Sequence, residues 1–277
     1  MCRALKSVFG LHFSTCGLDA LADALTNSPP PAGGEAQMLF TVNLDNVVCL
    51  RSNPAFRAAH QRAKIVTIDG APVYLYARLR GVAVPGRITG ADLLPALVER
   101  FTPGRQRPFF VTSDQTTASA IEAFLVQRGL SEDSLGFAVP PLGFERDEVY
   151  SMQLARQIRD HRTSHLIFGV GAPKSQIWLD QHRGEVGSCY AFPFGSAPNF
   201  MVGTASRAPR WVRAVGCEWF WRFCCEPRRL FRRYFVDSWQ FVAAIREDMR
   251  ALRNGVTWDV WLEQSKPGDL PTSRKAG

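Results

Sequence analysis

The sequence predicts an α/β protein, in which a Rossmann-like parallel sheet carries helices on both faces and a basic helical segment follows. Short apolar runs alternate with helical patterns between residues 38 and 195, as is typical of parallel strands buried on both faces. Beyond residue 207 the strand pattern stops and two helical patterns remain. With 277 residues, 46% of them hydrophobic and 21% charged, the chain can bury such a core.

The predicted elements alternate in the order that a doubly covered sheet requires. A short strand at 7–13 and a helix at 18–26 come first, and the Pro- and Gly-rich residues 27–37 form a loop. Strands are then predicted at 38–43, 64–69, 108–114, 137–144, 164–171 and 188–195, and helices at 45–61, 71–81, 91–101, 116–128, 146–160 and 174–182.

Three segments are predicted along the chain. Residues 1–204 form the α/β core, residues 205–254 a helical appendage rich in Arg and aromatic side chains, and residues 255–277 a loose polar tail. Within residues 205–235 eight arginines stand against two glutamates, with eight aromatic side chains between them. Such a patch predicts an anionic partner, which is nucleic acid, an acidic membrane surface or a phosphorylated ligand.

The cysteines and the apolar segments narrow the class of protein. Seven cysteines without a Cys-x-x-Cys spacing indicate neither a zinc site nor a disulfide framework. The N-terminal residues lack the long apolar segment of a secretory signal, and no stretch is apolar enough to span a bilayer. We therefore expect a protein that stays in solution or lies on a membrane without crossing it.

Small and polar residues follow several of the predicted strands, and Asp69 ends one of them in "KIVTID". Because the carboxyl ends of parallel strands border the ligand crevice, we expect Asp69 to share a crevice with Thr41, Asn43 and Gly171. The alternative is structural, since Asp-Gly is a common turn and Asp often caps the helix that follows. Taken alone, the dipeptide favours the structural alternative.

The turn "GVGAPK" at 169–174 could hold a phosphate on backbone N–H groups, or it could be a tight strand-to-helix turn. The residues favour neither alternative, and Lys174 stands where a dinucleotide fingerprint needs its third glycine. The sequence has no Asp-x-Asp clamp for a metal-bound diphosphate, no His-Glu-x-x-His and no Gly-x-Ser-x-Gly. We therefore expect no metal and no cofactor.

Six motifs together point to a known family. They are "TVN" at 41–43, "DGAPV" at 69–73, "RITGADL" at 87–93, "GVGAPKSQIW" at 169–178, "RAPRW" at 207–211 and "EWFWRFCCEPRRLFRRY" at 218–234. With these motifs the chain resembles, from about residue 8 to 250, the WecG/TagA/CpsF glycosyltransferases. These bacterial enzymes build surface polysaccharides, such as exopolysaccharide, and the linkage units of cell-wall teichoic acid.

The resemblance implies an inverting, metal-independent transfer of a sugar from a UDP-sugar to a polyprenyl-diphosphate-linked sugar. The sugar would be N-acetylmannosamine, its uronic acid or glucose. The implied partners are this donor, the lipid-linked glycan acceptor and an anionic membrane surface, with a homo-oligomer possible and no nucleic acid. The implied location is cytoplasmic, on the inner face of the bacterial plasma membrane.

The resemblance also implies roles for individual residues. Asp69 would be the catalytic base, with Thr41 and Asn43 in the pocket beside it. Substrate binding is implied for Arg87, Gly171, Lys174, Ser175, Gln176, Asn199, Arg207, Arg222, Arg229 and Arg232. The last three belong to the appendage, which would complete the active site and meet the diphosphates.

The chain departs from the family pattern near the expected donor site. The usual Pro-Lys-Gln-Glu reads Pro-Lys-Ser-Gln at 173–176, and the usual Gly-Gly-x-x-Asp reads Gly-Ser-Ala-Pro-Asn at 195–199. A Gly pair after the central strand is replaced by Thr112 and Ser113. These departures affect the expected identity of the donor sugar more strongly than the expected class of reaction.

Three other classes of protein stay open as alternatives. A nucleotide-binding oxidoreductase would need a clear dinucleotide fingerprint and an acidic residue for the ribose. A nucleic-acid-binding protein would use the arginine patch and show a steep salt dependence. A non-catalytic membrane adaptor would result if the departures at residues 175, 176 and 199 had removed donor binding.

Overall fold

A six-stranded parallel sheet forms the centre of the structure, a computed structural model that describes residues 6–30, 32–209, 221 and 239–264. The strands are β1 Gln37–Val42, β2 Ile65–Ile68, β3 Pro108–Val111, β4 Gly136–Ala138, β5 His165–Phe168 and β6 Tyr190–Pro193. Their order across the sheet is β2-β1-β6-β5-β3-β4, and every neighbouring pair is parallel. The predicted α/β parallel-sheet fold is confirmed.

Eleven α-helices surround the sheet in the part of the chain that the structure describes. They are α1 Leu18–Asn27, α2 Leu44–Ser52, α3 Pro54–Arg62, α4 Ala71–Leu79, α5 Gly90–Glu99, α6 Gln115–Gln127, α7 Glu148–Asp160, α8 Lys174–Gln181, α9 Ala197–Val202, α10 Trp239–Arg253 and α11 Trp258–Gln264. Among these described helices, none combines the length and the apolar character that a bilayer span needs.

Both faces of the sheet are buried, as the apolar strands predict. Along β5, Ile167 packs into the cluster with α1, α5, α6 and α9, whereas Leu166 and Phe168 pack into the cluster with α3, α7 and α8. This alternation is the two-residue period of a strand that is covered on each side. The sheet edge at β2 has a third cluster, to which α2, α4, α10 and α11 contribute.

Asn53 and Pro54 divide the predicted helix 45–61 into α2 and α3. Pro54 has no N–H with which to continue α2, and it stands in the first turn of α3. The side-chain oxygen of Asn53 accepts a hydrogen bond from the backbone N–H of Phe56 at 3.0 Å and so caps α3. The prediction of one continuous helix was therefore wrong.

Two predicted strands are shorter in the structure. Residues 7–13 contribute only an isolated antiparallel bridge between Val8 and Leu11, because the chain turns at Phe9 and Gly10, which both have positive φ. The strand predicted at 137–144 ends at residue 138, because Pro at 140 and 141 cannot donate ladder hydrogen bonds. A short 3-10 helix, Phe144–Arg146, follows instead.

The C-terminal helices belong to the hydrophobic core. Phe241, Ala244 and Ala251 of α10 are buried in the cluster at the β2 edge, and Trp258 of α11 is 1% exposed. The predicted loose tail at 255–277 therefore does not hold for residues 258–264, where buried aromatic area stabilises a helix. The predicted boundaries at 204 and 254 remain predictions.

A buried carboxylate fixes α10 to the rest of the core. Asp248 accepts a hydrogen bond from the backbone N–H of Phe9 at 2.9 Å and one from the Tyr76 hydroxyl at 2.7 Å, and it forms an ion pair with Arg80. Burial and the hydrogen bond to Asp248 raise the pKa of the Tyr76 hydroxyl, so the phenol stays protonated and donates. Asp248 thus joins the N-terminal turn, α4 and α10.

Replacing Asp248 by Ala should lower the free energy of unfolding by about 3–5 kcal/mol, because the mostly buried Arg80 charge loses its partner. Glu247→Gln on the same helix is the matched control. It should cost about 1 kcal/mol or less, because the Arg51–Glu247 pair is more exposed. Urea denaturation at pH 7 measures both, and equal losses would contradict the role of Asp248.

Two histidines are buried in the neutral form. Burial lowers the pKa of His60 and of His165 from 6.5 to about 4. The Nε2 of His165 donates to the carbonyl of Leu25 at 3.2 Å, and its Nδ1 accepts from the hydroxyl of Ser164 at 2.9 Å. Between pH 6.5 and about 4, each imidazole therefore stays neutral in the folded protein, whereas it would be protonated in the unfolded chain.

The free energy of unfolding should therefore fall as the pH decreases from 6.5 towards 4, because the unfolded state binds these protons more tightly. Below pH 4 each histidine would account for a loss of the order of 3 kcal/mol. His60→Phe, which replaces one ring in a site beside Phe40 and Phe56, should reduce the slope in this pH range. An unchanged slope in chemical denaturation would show that His60 does not titrate there.

Candidate active site

A crevice opens at the carboxyl edge of the sheet, where the turns after β1, β2, β5 and β6 meet the first turn of α5. The described residues that line it are Thr41, Asn43, Asn46, Asp69, Thr89, Gly90, Ala91, Gly171, Ala172, Gln176, Pro193, Phe194, Gly195, Ser196, Ala197 and Phe200. The structure thus brings Asp69, Thr41, Asn43 and Gly171 together, as their places after parallel strands predict. Among these lining residues Asp69 is the only carboxylate.

A close contact at Gly70 joins the turns that follow β1 and β2. A Cβ atom at residue 70 would lie 3.1 Å from the Cα of Asn43 and 3.2 Å from its Cβ. The backbone N–H of Asp69 donates to the carbonyl of Val42 at 2.9 Å. Asp69 and Asn43 therefore leave the sheet side by side, with glycine as the residue that permits the approach.

Asn43 and Asn46 form a reciprocal cap at the start of α2. The Asn43 Oδ1 accepts from the backbone N–H of Asn46 at 3.1 Å, and the Asn46 Oδ1 accepts from the N–H of Asn43 at 3.0 Å. Each oxygen thereby accepts one backbone hydrogen bond, and both side chains are fixed in orientation. The Nδ2 amino groups are the donors that this pair can offer to a ligand in the crevice.

Asp69 is not the N-cap residue of α4. The helix begins at Ala71 and its N-cap is Gly70, which has no side chain to offer. Asp69 precedes that cap and lies beside the positive end of the helix dipole, which favours a negatively charged carboxylate. The prediction that Asp69 is the N-cap of the following helix is therefore wrong. Asp69 lines the crevice.

The turn at 169–171 is tight at one glycine and open at the other. The N–H of Gly169 donates to the carbonyl of Val111 at 2.6 Å, and a Cβ at Gly169 would lie 3.0 Å from that oxygen. A Cβ at Gly171 would meet nothing within 4 Å among the described residues, and Gly171 lines the crevice. The alternative of a tight strand-to-helix turn thus fits Gly169, whereas Gly171 borders space that a ligand can enter.

Residues 174–176 of that motif lie in different surroundings. Gln176 lines the crevice and is 4% exposed, and its Oε1 accepts from the hydroxyl of buried Ser175 at 2.8 Å. Lys174 lies outside the crevice lining, with its Nζ 5.8 Å from the centre of the Phe144 ring. Of the three predicted binding residues, the structure therefore brings only Gln176 to Asp69.

Arg207 supports the wall of the crevice from behind. Its guanidinium donates to the carbonyl of Ala91 at 2.9 Å and to the carboxylate of Asp92 at 2.8 Å. The other oxygen of Asp92 accepts from the hydroxyl of Thr89 at 2.7 Å. Because Thr89 and Ala91 line the crevice, Arg207 fixes the first turn of α5, although it is not itself a lining residue.

Arg87 lies near the crevice without lining it. The residue after it, Ile88, donates its N–H to the carbonyl of Ile68 at 2.7 Å, so this segment runs along the edge of β2. The hydroxyl of Thr67 donates to the carbonyl of Ile88 at 3.0 Å and reinforces that attachment. Arg87 is half-buried, one residue before this contact.

Asn199 belongs to a polar cluster after β3 and does not line the crevice. Its Nδ2 donates to the hydroxyl of Thr117 at 2.8 Å, and that hydroxyl donates to Asp114 at 3.0 Å. Asp114 caps α6 through the N–H of Thr117, and this hydrogen bond is the main cause that lowers the pKa of Asp114. The side chain of Asn199 thus has a structural partner.

The predicted appendage arginines, Arg222, Arg229 and Arg232, lie outside the residues that the structure describes. Five of the sixteen lining residues were predicted as site residues, and those that were missed include Asn46, Thr89, Phe194 and Phe200. A capping-box spacing from Asn43 to Asn46 was the available signal for the first of them. The others enter the crevice through packing between α5 and the β6 turn, which no local pattern indicates.

Comparison with known proteins identifies the family. The model of the Glycosyl transferase WecG/TagA/CpsF family matches residues 6–254. The chain belongs to this family. It is therefore a glycosyltransferase.

Two relatives carry the same functional name, N-acetylglucosaminyldiphosphoundecaprenol N-acetyl-beta-D-mannosaminyltransferase. The protein from Bacillus spizizenii is 23% identical over 201 residues, which cover 72% of this chain and 74% of the relative. The protein from Staphylococcus aureus strain NCTC 8325 is 20% identical over 210 residues, which cover 74% of this chain and 79% of the relative. The similarity thus extends over most of each protein.

Gly70→Ala should lower kcat/KM for sugar transfer by about tenfold to a hundredfold, because the new Cβ must displace the Asn43 backbone beside Asp69. Gly184→Ala is the control, since a Cβ there meets nothing within 4 Å and its φ is not positive. Both variants should stay folded, with a loss of about 1–3 kcal/mol at Gly70 from overpacking. Equal kcat/KM values for the two variants would contradict the importance of this contact.

Proposed function

We propose that the protein is an inverting glycosyltransferase that moves a sugar from a UDP-sugar to a polyprenyl-diphosphate-linked sugar. The product would enter bacterial exopolysaccharide or another cell-surface glycan. The observation that carries the proposal is the crevice in which Asp69 lies beside Thr41, Asn43 and Gln176. The names of the two relatives support it, because they specify transfer of N-acetylmannosamine to a diphosphoundecaprenol-linked sugar.

Asp69 is proposed as the general base. It would take the proton of the acceptor hydroxyl while that oxygen attacks the anomeric carbon, and UDP would leave from the opposite face, which inverts the centre. The N-terminus of α4 beside Asp69 favours the ionised carboxylate that this step requires. General-base assistance of this kind contributes about 10²–10⁴ in rate.

Neutral polar groups around Asp69 are suited to hold the hydroxyl groups of a sugar. The Nδ2 groups of Asn43 and Asn46 are donors on side chains that the reciprocal cap holds in place. The hydroxyl of Thr41 and the amide of Gln176 are further polar groups on residues that line the crevice. Preorganised donors of this kind cost little reorganisation when the transition state forms.

The leaving UDP gains negative charge, and two parts of the chain would stabilise this charge. The open turn at Gly171 can present backbone N–H groups to a phosphate. Arg222, Arg229 and Arg232 are proposed to meet the diphosphates, which suit the planar guanidinium, without a metal ion. Arg87, Lys174, Ser175, Asn199 and Arg207 are retained as proposed donor-site residues, of which Arg207 would act through the crevice wall.

The donor sugar is proposed to be N-acetylmannosamine, its uronic acid or glucose. The acceptor would be held in the inner leaflet of the bacterial plasma membrane, so the enzyme would work at the cytoplasmic face of that membrane. The net charge of +8 and the arginine patch at 205–235 support contact with anionic lipid. Assembly into a homo-oligomer is compatible with this location.

Asp69→Asn should fold normally and lower kcat for sugar transfer by at least about 100-fold, because the amide cannot accept the acceptor proton. Asp160→Asn, on the exposed last turn of α7, is the matched control and should keep full activity. The measurement is UDP release with a panel of UDP-sugars and a short-chain polyprenyl-diphosphate sugar acceptor. Near-normal turnover by Asp69→Asn would remove Asp69 as the base.

The same assay separates the proposal from its rivals. A wild-type protein that releases no UDP from any donor in the panel, yet binds DNA or RNA with steep salt dependence, would favour the nucleic-acid alternative. The roles of the appendage arginines should be tested by single substitutions. Deletion of residues 205–277 would also remove Asp248 and Phe241 from the core, so lost activity would then report lost folding.

A further inference from the structure

Three side-chain amides line the crevice, and in each of them the protein binds the oxygen. The Oε1 of Gln176 accepts from the hydroxyl of Ser175 at 2.8 Å. The Oδ1 atoms of Asn43 and Asn46 accept from each other's backbone N–H groups at 3.1 and 3.0 Å. The NH₂ group is therefore the part of each amide that remains for a ligand in the crevice.

The amide nitrogens of these three residues have no acceptor within the part of the chain that the structure describes. Asn46 and Gln176 are only 6% and 4% exposed, so water reaches little of either side chain. Polar groups at such positions ordinarily have hydrogen-bond partners, because leaving them without one costs free energy. Since both residues line an open crevice, a ligand can supply the acceptors.

The hydroxyl of Ser175 favours one orientation of the Gln176 amide. Ser175 is 1% exposed and is not a lining residue, and the oxygen of Gln176 is the acceptor of its hydroxyl. This hydrogen bond restricts rotation of the amide and keeps the oxygen on the side of Ser175. Ser175 thus acts on the crevice through Gln176, as a positioning residue.

Asn46 and Gln176 occupy equivalent places at the starts of two helices. Each is the third residue of its helix, α2 or α8. Helix α3, which follows α2, is held against α8 because the guanidinium of Arg62 donates to both carboxylate oxygens of Asp180, with the Nε bond at 2.7 Å. The positive ends of the two helix dipoles favour an oxygen acceptor near these amides.

We propose that Gln176 selects a donor sugar with a carbonyl-type oxygen, which belongs to an acetamido or a carboxylate group, and that Ser175 positions Gln176 for this contact. Such an oxygen accepts hydrogen bonds and has no proton that needs an acceptor of its own, whereas a sugar hydroxyl has one. It therefore suits a crevice in which the three amides offer nitrogens and the protein binds their oxygens. The assignment to a sugar rests on the proposed function, in which the crevice holds a UDP-sugar.

The test measures the Kd of three probes by titration calorimetry: UDP-N-acetylmannosamine, UDP-mannose and UDP-N-acetylmannosaminuronic acid. Gln176→Glu keeps the acceptor for Ser175 and replaces only the NH₂ group. If Gln176 binds the acetamido oxygen, the preference for UDP-N-acetylmannosamine over UDP-mannose should fall about tenfold. If it binds the carboxylate, the preference for the uronic acid over UDP-N-acetylmannosamine should fall by that factor. Unchanged preferences in both pairs would overturn the proposal.

A neutral variant separates the lost hydrogen bond from the added charge. Gln176→Met has a side chain of similar size without an N–H donor, and it should lower the same preference by about tenfold. A preference that falls in Gln176→Glu and stays intact in Gln176→Met would come from charge repulsion alone, and the proposal would be wrong. Thermal unfolding checks that each variant is folded.

Ser175→Ala tests the positioning role. It should lower the same preference about threefold to tenfold and raise KM for the preferred donor, with little change in kcat, because the amide of Gln176 is no longer held. Ser151→Ala is the matched control: Ser151 is equally buried, and its hydroxyl accepts from the Nε1 of Trp178 on the same helix. The control should lose stability and keep the preference. Equal preferences in these two variants would contradict the role of Ser175.

Sugar transfer to a short-chain polyprenyl-diphosphate sugar acceptor is measured in parallel. Transfer by the wild type together with unchanged preferences in both Gln176 variants would overturn the role of Gln176 and leave the proposed function intact. Conversely, if the wild type binds the probes with a preference that both variants lose, yet transfers no sugar, the proposed function fails and the role of Gln176 in binding stands.

Discussion

The contact between the turns after β1 and β2 is the constraint on which the crevice depends. Parallel pairing sets Val42 opposite Ile68, so the residues that follow both strands emerge at one level of the sheet. Gly70 then lets the two turns approach closely, since a Cβ at residue 70 would lie only 3.1 Å from the Cα of Asn43. The carboxylate of Asp69 is therefore placed by sheet register and backbone packing, which are among the most rigid features of a protein.

The C-terminal part of the chain is fixed to the same region at two points. Before residue 210, Arg207 is bound to the first turn of α5 through Ala91 and Asp92, which belong to the crevice wall or lie next to it. After residue 238, Asp248 is bound to α4, the helix that begins beside Asp69. The arginines proposed to meet the diphosphates thus lie between two anchored positions, one on α5 at the crevice wall and one on α4.

Local patterns in the sequence were sufficient to locate the six strands of the sheet, although not the full extent of β4, and to group Asp69 with Thr41 and Asn43, because apolar runs and strand ends are local signals. The break at Pro54 was also a local signal, and it was overlooked. By contrast, burial of α10 depends on Asp248, an acidic residue that the sequence places on an ordinary surface helix. The position of Lys174 over Phe144 likewise follows from long-range packing.

The departure from the family pattern at residue 176 places an amide where the resemblance expects a carboxylate, and this changes the charge of the crevice. Gln176 lies on the crevice wall, and its oxygen is bound by Ser175, which is the other departure. A carboxylate at 176 would bring a second negative charge into a crevice where Asp69 is the only acid among the described lining residues. It would disfavour both the ionised base and an anionic donor. The Ser-Gln pair carries no such charge, and this favours the ionised form of Asp69 and the entry of an anionic donor.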